Sequence, residues 1–248
     1  RGGTFCCTPY QIFVTLNKIY RNFNNDFEKQ HFMKRIALLI LFCVTYFLPH
    51  AQVTDSIIDL RDGQVYKVVK IGAQWWMQEN LNIGVLINNS QDATDNSVIE
   101  KYCYNNDNNN CSVYGGLYQW SEMMGYSDSD NGNPGLTQGI CPAGWHLPTN
   151  DEWTELVNFL GGEYVAGGKL KESGTDHWTS PNTGANNESG FTALAGGYLD
   201  NDKKFFTSGH SGYWWTSTKE TDLTAYYRCI FYSSEIIYGY DRLFAWGT

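Results

Sequence analysis

The sequence predicts a single α+β domain over residues 52–248, with short mixed or antiparallel strands, two main helices and a long irregular loop. Three patterns predict this class. A capped amphipathic helix occupies residues 149–162, an alternating apolar run at residues 65–77 is typical of a β-hairpin, and short strand-like segments alternate after residue 204. With 42% hydrophobic and 16% aromatic residues, the chain has enough apolar side chains for a packed core.

An export signal precedes this domain. A methionine and two basic residues at 33–35 are followed by an apolar run at 36–48 and by the small residue Ala51. This order is typical of a signal peptide, and the run is too short for a comfortable transmembrane helix. We therefore expect a signal peptide over residues 33–51, cleaved after Ala51, and a secreted or cell-surface protein without stable membrane insertion. An uncleaved anchor and a lipidated Cys43 stay open as alternatives, although the large residue before this cysteine does not fit a lipobox.

Residues 1–32 precede the place where a signal peptide should begin. Arg1 is not an initiator, whereas Met33 stands where a start codon belongs. We therefore expect residues 1–32 to be upstream sequence read through in frame, or a disordered tail, with no fold of their own.

The strongest helix signal starts at Thr149. Its hydroxyl can accept from the backbone N–H of Glu152 while the Glu152 side chain reaches back, which is a capping box. Pro148 favours an extended entry, and the two glycines at 161–162 supply the positive φ that ends a helix. The apolar residues between them share one helical face: Trp153, Leu156, Val157 and Leu160.

Two strands, a loop tip and a short helix are predicted upstream of this helix. Residues 65–71 and 74–77 form the predicted hairpin, with a tight turn at Gly72. The Asn-rich run at 105–110 predicts a low-complexity loop tip. Residues 114–124 carry apolar side chains at helical spacing and predict a short helix.

A long irregular loop is predicted downstream, at residues 167–197, because this stretch is rich in Gly, Ser, Thr and Asn. A loop of this length inside a compact domain is unusual and tends to be functional. Four short strands are predicted after it, at residues 204–206, 213–217, 225–232 and 236–240.

The charge of the chain argues against two classes of partner. The formal net charge is −9, and the region from residue 52 holds 11 Lys and Arg against 24 Asp and Glu, a net charge of −13. Such an acidic chain disfavours nucleic acid and anionic membranes as partners.

Four cysteines remain in the predicted mature region: Cys103, Cys111, Cys141 and Cys229. Because a secreted chain folds in an oxidising compartment, cysteines are interpreted first as disulfides. Cys103 and Cys111 flank the Asn-rich run and predict a short disulfide clamp. Their spacing fits no zinc site.

Several motifs together resemble one bacterial family. They include the sequence Cys-Pro-Ala-Gly-Trp-His-Leu-Pro-Thr-x-x-Glu-Trp, and they follow one another in the family's order. The motifs lie at residues 65–72, 76–81, 141–153, 167–172, 177–191 and 212–218. The chain resembles the Fibrobacter succinogenes major paralogous domain family, a bacterial secreted family without a well-defined activity.

The resemblance implies a C-type-lectin-like fold, because that family is similar to the C-type-lectin-like superfamily, in which ligands often bind at a long loop. It also implies a distant similarity to the formylglycine-generating enzymes. Those enzymes depend on copper and use two cysteines late in the chain, whereas only Cys229 lies in that half here. The nearest counterparts of lectin-type calcium motifs, at residues 180–182 and 215–217, lack the carboxylates, which argues against calcium-dependent sugar binding.

The resemblance also implies a partner for Cys141. In similar proteins a cysteine of a C-terminal strand closes onto this position, and this chain stops at Thr248 before reaching it. We therefore expect a C-terminally truncated domain in which Cys141 has lost its partner. Cys229 is an alternative partner.

No constellation of residues predicts catalysis. The Asp-His pair at 176–177 cannot supply triad geometry because its members are consecutive. His146 is predicted to be a packed, hydrogen-bonded histidine. A loose calcium site of Asp128, Asp130 and Asn133 stays open as an alternative, although the stretch fails as an EF-hand. We expect no enzyme, no catalytic residue, no metal and no cofactor.

Exposed tryptophans are the best candidates for ligand contact. The Trp pairs at 75–76 and 214–215 lie on predicted strands, where alternation sends one member inward and the next outward. An outward ring can stack on a sugar face or on a peptide side chain. The ligand-binding residues are predicted to be Trp178, Asn182, Asn187, Glu188 and Trp214.

The sequence thus favours a non-enzymatic binding or adhesion module, secreted or at the cell surface, that recognises a glycan or protein ligand through its long loop. Two alternatives stay open, an enzyme related to the formylglycine-generating proteins and a purely structural surface component.

Overall fold

The computed structural model describes residues 29–31, 33–35, 52–243 and 247. The chain divides into two compact units, residues 1–51 and 52–248. In the first unit the described residues are helical. Most of the predicted signal peptide, with Ala51 and Cys43, lies outside the described residues. In the described part of the chain, no helix has the length and apolarity needed to cross a bilayer.

The second unit begins with an antiparallel sheet of three strands, β1 (Val53–Ile58), β2 (Val65–Ile71) and β3 (Gln74–Met77), in the order β1-β2-β3. The predicted hairpin is therefore confirmed. In strand β2, Tyr66 and Val68 are buried and Lys67 is exposed, which is the alternation of a half-buried strand. Strand β1 was not predicted, because five of its six residues are exposed and no apolar alternation marks it.

A second antiparallel sheet closes the domain at its C-terminal side. It consists of β8 (Ser211–Lys219), β9 (Thr224–Phe231) and β10 (Ile237–Leu243), in the order β10-β9-β8. Three of the four strands predicted after the loop form this sheet, with bounds that differ by a few residues, and the fourth, predicted at residues 204–206, is the short strand at Phe205–Phe206. The pairing of β8 with β9 is irregular between Trp215 and Lys219.

Short elements connect the two sheets. Strands β4 (Val85–Leu86) and β5 (Glu100–Lys101) pair in parallel, and β6 (Tyr198–Leu199) pairs with β7 (Phe205–Phe206). A single 3₁₀ turn occupies Tyr104–Asn106.

The Asn-rich run is not a loop tip, which corrects the prediction for residues 105–110. Helix α1 spans Asn108–Tyr114, and the side chain of Asp107 caps it by accepting from the backbone N–H of Asn109. The disulfide between Cys103 and Cys111, with Cα atoms 5.1 Å apart, ties this helix to the preceding turn. The predicted disulfide is therefore confirmed.

The helix predicted over residues 114–124 is shorter than expected. Helix α2 spans only Trp120–Met123. Gly115 has φ +82°, which ends helix α1, and Leu117 pairs with Tyr102 as an isolated antiparallel bridge. The apolar spacing of this stretch therefore comes from an extended segment followed by one helical turn.

Helix α3 (Asn150–Phe159) follows the prediction closely. Thr149 and Glu152 form the capping box in both directions, and the predicted apolar face is buried. Gly161 and Gly162 have φ of +103° and +96°, so they end the helix as expected.

Helix α4 (Glu163–Leu170) was not predicted, and it takes the first residues of the expected loop. It contains Gly167 and Gly168, which disfavour a helix on propensity alone. A Cβ at Gly167 would lie 2.7 Å from the carbonyl oxygen of Ile236, and one at Gly168 would lie 2.5 Å from that of Gly184. Both glycines are therefore required by close packing against neighbouring backbone. Because the helix extends to Leu170, the long loop runs from residue 171 to residue 197.

Two large clusters form the core. The first joins helices α3 and α4 to Trp76, Trp178 and the end of the long loop, and the second joins helix α2 to the C-terminal sheet. Helices and mainly antiparallel strands around a shared core confirm the α+β class. Cys141 and Cys229 are both free and buried, so the alternative disulfide between them is wrong.

Candidate functional site: a tryptophan-lined cleft

A cleft of about 580 Å³ opens where strand β3, the segment before helix α3, strand β8 and the end of the long loop meet. Six of the nine tryptophans of the chain line it: Trp75, Trp76, Trp145, Trp153, Trp214 and Trp215. We call it the tryptophan cleft. Pockets of about 300–1,000 Å³ with mostly apolar walls are typical ligand sites.

Strand alternation decides which indole rings stay accessible. On strand β3, Trp75 is 41% exposed whereas Trp76 is 8% exposed. On strand β8, Trp214 is half-buried and Trp215 is buried. Trp145 precedes helix α3 and is also half-buried. Three rings therefore offer surface to a ligand, and the others form the packed floor.

The floor is a cluster of aromatic rings around Trp153. Its ring centroid lies 4.9 Å from that of Trp76, 5.7 Å from that of Phe191 and 6.3 Å from that of Trp214. Tilted contacts at these distances add attraction beyond the burial of area, about 0.5–1.5 kcal/mol a pair. The cleft is therefore preformed, and its floor consists of close-packed aromatic rings.

Hydrogen bonds fix two of these rings. Trp214 Nε1 donates to Asn80 Oδ1 at 3.0 Å, and Asn80 Nδ2 donates to the Tyr114 carbonyl oxygen at 2.8 Å. Trp76 Nε1 donates to Gln74 Oε1 at 3.2 Å, and Gln74 Nε2 donates to the Glu152 carbonyl oxygen at 3.1 Å. Each indole is thereby held through an amide side chain to a neighbouring element.

The wall next to helix α3 carries a histidine–carboxylate pair. His146 Nε2 lies 2.8 Å from Glu152 Oε1, and Glu152 Oε2 accepts from the Thr149 N–H at 3.0 Å. The predicted hydrogen-bonded state of His146 is confirmed. Its side chain is still 37% exposed, so it is a cleft residue and not a core residue.

Cys141 also lies on the wall, below the surface. Burial raises the pKa of its thiol to about 12, although the nearby Arg61 guanidinium acts in the opposite direction. Arg61 is itself held by the buried carboxylate of Asp59 and donates to the Ile140 carbonyl oxygen at 2.8 Å. The thiol is therefore protonated at neutral pH and is a poor nucleophile.

The motifs that build this cleft belong to a family pattern. Residues 69–242, which include β3, α3 and β8, match the family model described as the Fibrobacter succinogenes major domain. The chain belongs to this family. No curated protein matches the chain, and no solved structure matches it.

In this Fibrobacter succinogenes major domain, two residues of the predicted binding site are buried inside the long loop. Trp178 is 2% exposed, and its Nε1 donates to the Ala193 carbonyl oxygen at 2.9 Å. Asn182 is also buried, and its amide donates to the carbonyl oxygens of Glu172 and Gly174. Burial argues against the prediction that Trp178 and Asn182 contact a ligand, because little of either side chain is accessible.

The other three predicted site residues lie in two different places, two in the long loop and one in the cleft. Asn187 bonds Thr192 within the loop, and Glu188 is exposed and pairs with Lys169 at 3.3 Å. Neither lines the cleft. Trp214 does line it, so one of the five predicted residues lies at the site.

Lys171 holds the long loop against the rest of the domain. It is fully buried, and its ammonium donates to the carbonyl oxygens of Thr183, Phe231 and Ser234 at 2.9–3.2 Å. It also lies 5.3 Å from the centroid of the Trp178 ring. Burial lowers the pKa of Lys171 to about 8. This one cation joins the loop to strand β9 and the turn that follows it.

The alternative calcium site finds no support in the donor set. The Asp130 carboxylate accepts from the backbone N–H groups of Gly132, Leu136 and Thr137. Burial works to raise the pKa of Asp130, but these backbone donors outweigh it and the pKa is lowered. The carboxylate therefore organises its own loop. Within the described ranges, no group of three or more His, Cys, Asp or Glu side chains is gathered for a metal ion.

Sequence reasoning missed Trp75, Trp145 and Asn80 as cleft residues. The paired tryptophans at 75–76 and 214–215 gave a usable signal, since both pairs were expected on strands with one outward member. What the sequence did not show was that β3 and β8, although far apart in the chain, meet beside helix α3.

Proposed function

We propose that this domain is a non-catalytic binding module that holds a glycan in the tryptophan cleft, after export to the cell surface or to the medium. The observation that carries the proposal is that three partly exposed tryptophans, Trp75, Trp145 and Trp214, line one cleft. The proposed site therefore lies at the end of the long loop, where Phe191 and Leu194 complete the cleft wall, and not in the interior of the loop as predicted from the sequence.

The chemistry of the walls favours a sugar ring as the occupant. An indole face stacks on a flat apolar surface, and a pyranose whose substituents are equatorial presents such a surface on both sides. The few polar groups at the rim, among them Asn80, Glu79 and His146, suit hydroxyl groups. The net charge of −9 favours a neutral glycan over an acidic one.

Three observations support the absence of catalysis. The Cys141 thiol has a pKa raised by burial and no hydrogen bond to His146 among the described residues, so no activated thiol faces the cleft. Burial likewise raises the pKa of the Cys229 thiol to about 12, which speaks against the thiol chemistry of the formylglycine-generating enzymes. Glu152 is occupied by His146 and by its own capping bonds.

The proposal includes a C-type-lectin-like fold and export through residues 33–51. The family membership and the α+β architecture support the first part. The order of basic residues, apolar run and small residue in the sequence supports the second.

The test is binding of the purified protein to an immobilised glycan array, followed by calorimetry with cellohexaose, chitohexaose and mannohexaose. Replacing Trp75 by Ala should weaken binding about tenfold, which corresponds to about 1.4 kcal/mol. The variant should change its unfolding midpoint only slightly, because 41% of the Trp75 surface is already exposed to solvent. Tyr164→Ala is the matched control, since Tyr164 is an exposed aromatic residue on helix α4 away from the cleft.

Equal affinity of the wild type and Trp75→Ala for every bound glycan would overturn the site. If the protein binds peptides and not glycans, and Trp75→Ala weakens that binding, then the site is correct and its ligand is a peptide. Copper uptake with thiol oxidation would favour the related enzyme, and self-assembly without a soluble ligand would favour a structural surface component.

A further inference from the structure

His146 occupies a position in the tryptophan cleft that packing alone does not explain. Its Nε2 edge faces protein atoms, because Nε2 contacts Glu152 Oε1 at 2.8 Å and a Cβ built on Gly135 would lie 3.3 Å from Cδ2. Nδ1 is on the opposite edge of the ring. The side chain is 37% exposed and lines the cleft, and Nδ1 has no protein partner in the described part of the chain.

The pairing with Glu152 determines which nitrogen carries the proton. A carboxylate can only accept, so the nitrogen that faces it must be the donor. Glu152 lies in the first turn of helix α3, and its other carboxylate oxygen, Oε2, accepts from the Thr149 N–H at 3.0 Å. The neutral imidazole is therefore the Nε2–H tautomer, and its free Nδ1 is an acceptor.

We infer that His146, oriented by Glu152, accepts a hydrogen bond through Nδ1 from a hydroxyl group of the glycan and so selects ligands that carry a donor at this position. The inference rests on the proposed function, and it adds the chemistry of the contact. The tryptophan faces hold any flat apolar ring, whereas the imidazole distinguishes a hydroxyl donor from a capped oxygen. His146 would be the contact residue, and Glu152 would be the residue that positions it.

The first experiment needs no ligand. Nitrogen NMR of the imidazole groups in the ¹⁵N-labelled protein at neutral pH should show a His146 ring protonated at Nε2 and unprotonated at Nδ1. In Glu152→Gln, the amide oxygen can keep the bond from Thr149 while the amide nitrogen donates to His146 Nε2. The tautomer should then reverse, so that Nδ1 carries the proton. An Nδ1–H tautomer in the wild type would overturn the inference.

The second experiment measures binding by calorimetry. His146→Gln places an amide nitrogen near the position of Nε2, which preserves the bond to Glu152 and removes the acceptor at Nδ1. Both His146→Gln and Glu152→Gln should bind the preferred hexasaccharide of the three (cellohexaose, chitohexaose or mannohexaose) about tenfold more weakly. Glu155→Gln, at an exposed position one turn further along the same helix, is the control for the lost charge and should bind like the wild type.

A capped probe completes the design. The per-O-methylated form of the same hexasaccharide keeps its ring faces and has no hydroxyl donors. The wild type should bind it more weakly than the parent, and His146→Gln should bind it as the wild type does. Unchanged binding of the parent sugar by both His146→Gln and Glu152→Gln, with binding still lost in Trp75→Ala, would refute the inference and leave the proposed function standing. Failure of all three hexasaccharides to bind the wild type would contradict both.

Discussion

The long loop at residues 171–197 and the tryptophan cleft are both rich in side chains of the types that recognise ligands. They differ in whether these side chains are buried or exposed. In the loop, the amide of Asn182 and the indole N–H of Trp178 bond backbone carbonyls of the same segment. In the cleft, Trp75 and His146 stay partly exposed. The loop uses its polar groups for its own structure, and the cleft leaves some of them for a partner.

The difference shows that loop length does not by itself mark a binding site. A segment without regular secondary structure must still satisfy its buried backbone groups. Here Lys171 and Asn182 do so by donating to five carbonyl oxygens between them. The strands and helices that form the cleft satisfy their backbone groups among themselves, so their outward side chains are free for ligand contact.

The largest expected effect tests this difference in the loop. Replacing Lys171 by Met keeps the length of the side chain and removes all three donors from a fully buried site. Leaving buried acceptors unpaired costs about 1–3 kcal/mol each, and partial relaxation should leave a total loss of about 3–5 kcal/mol in the free energy of unfolding. Urea denaturation followed by tryptophan fluorescence measures it.

The same variant separates the loop from the cleft. Under conditions where Lys171→Met is folded, glycan affinity should stay within about twofold of the wild type, a change below about 0.5 kcal/mol. Lys169→Met is the matched control, since Lys169 pairs with exposed Glu188 and such surface pairs contribute little. A stability equal to that of the control would show that the buried ammonium does not hold the loop.

A smaller effect is expected for Trp178→Phe. The substitution keeps a large aromatic ring under the loop and removes the hydrogen bond from Nε1 to the Ala193 carbonyl oxygen, leaving that oxygen buried without its donor. We expect a loss of about 1–2 kcal/mol in the free energy of unfolding. Loss of glycan affinity greater than that of Trp75→Ala would restore the long loop as the binding surface.

The sequence predicted most reliably the elements whose signals are local. The capping box of Thr149 and Glu152, the glycines that end helix α3 and the hairpin at residues 65–77 all depend on neighbours within a few positions. The disulfide between Cys103 and Cys111 also closes a short segment. These features appear in the structure at the expected residues.

The elements that were missed depend on contacts distant in sequence. Helix α4 contains two adjacent glycines. They are required because the carbonyl oxygens of Ile236 and Gly184, which are distant in sequence, leave no room for a Cβ. Strand β1 is exposed along most of its length and is held by its pairing with β2. Trp178 was predicted to contact a ligand because it lies in a long irregular loop, whereas the contacts of the buried Lys171 fix that loop against strand β9.

The candidate site was predictable only in part for the same reason. Alternation on two strands predicted one outward tryptophan in each pair, and Trp214 was named as a ligand-binding residue, but periodicity does not tell which strands meet. Asn80 connects these parts in the structure, because its side chain accepts from Trp214 and donates to the end of helix α1.

The smallest expected effect therefore concerns the precision of the cleft. Asn80→Ala removes both hydrogen bonds at a partly exposed position and should lower the free energy of unfolding by only about 1 kcal/mol. The Trp214 ring then loses the bond that fixes its orientation, so glycan affinity should fall about threefold to fivefold, or about 0.6–1 kcal/mol. Asn82→Ala is a poor control because Asn82 holds Lys101, whereas exposed Asn158 on helix α3 gives a clean comparison. If Asn80→Ala binds glycan as tightly as Asn158→Ala, Trp214 does not need a fixed orientation, and the cleft recognises its ligand by ring area alone.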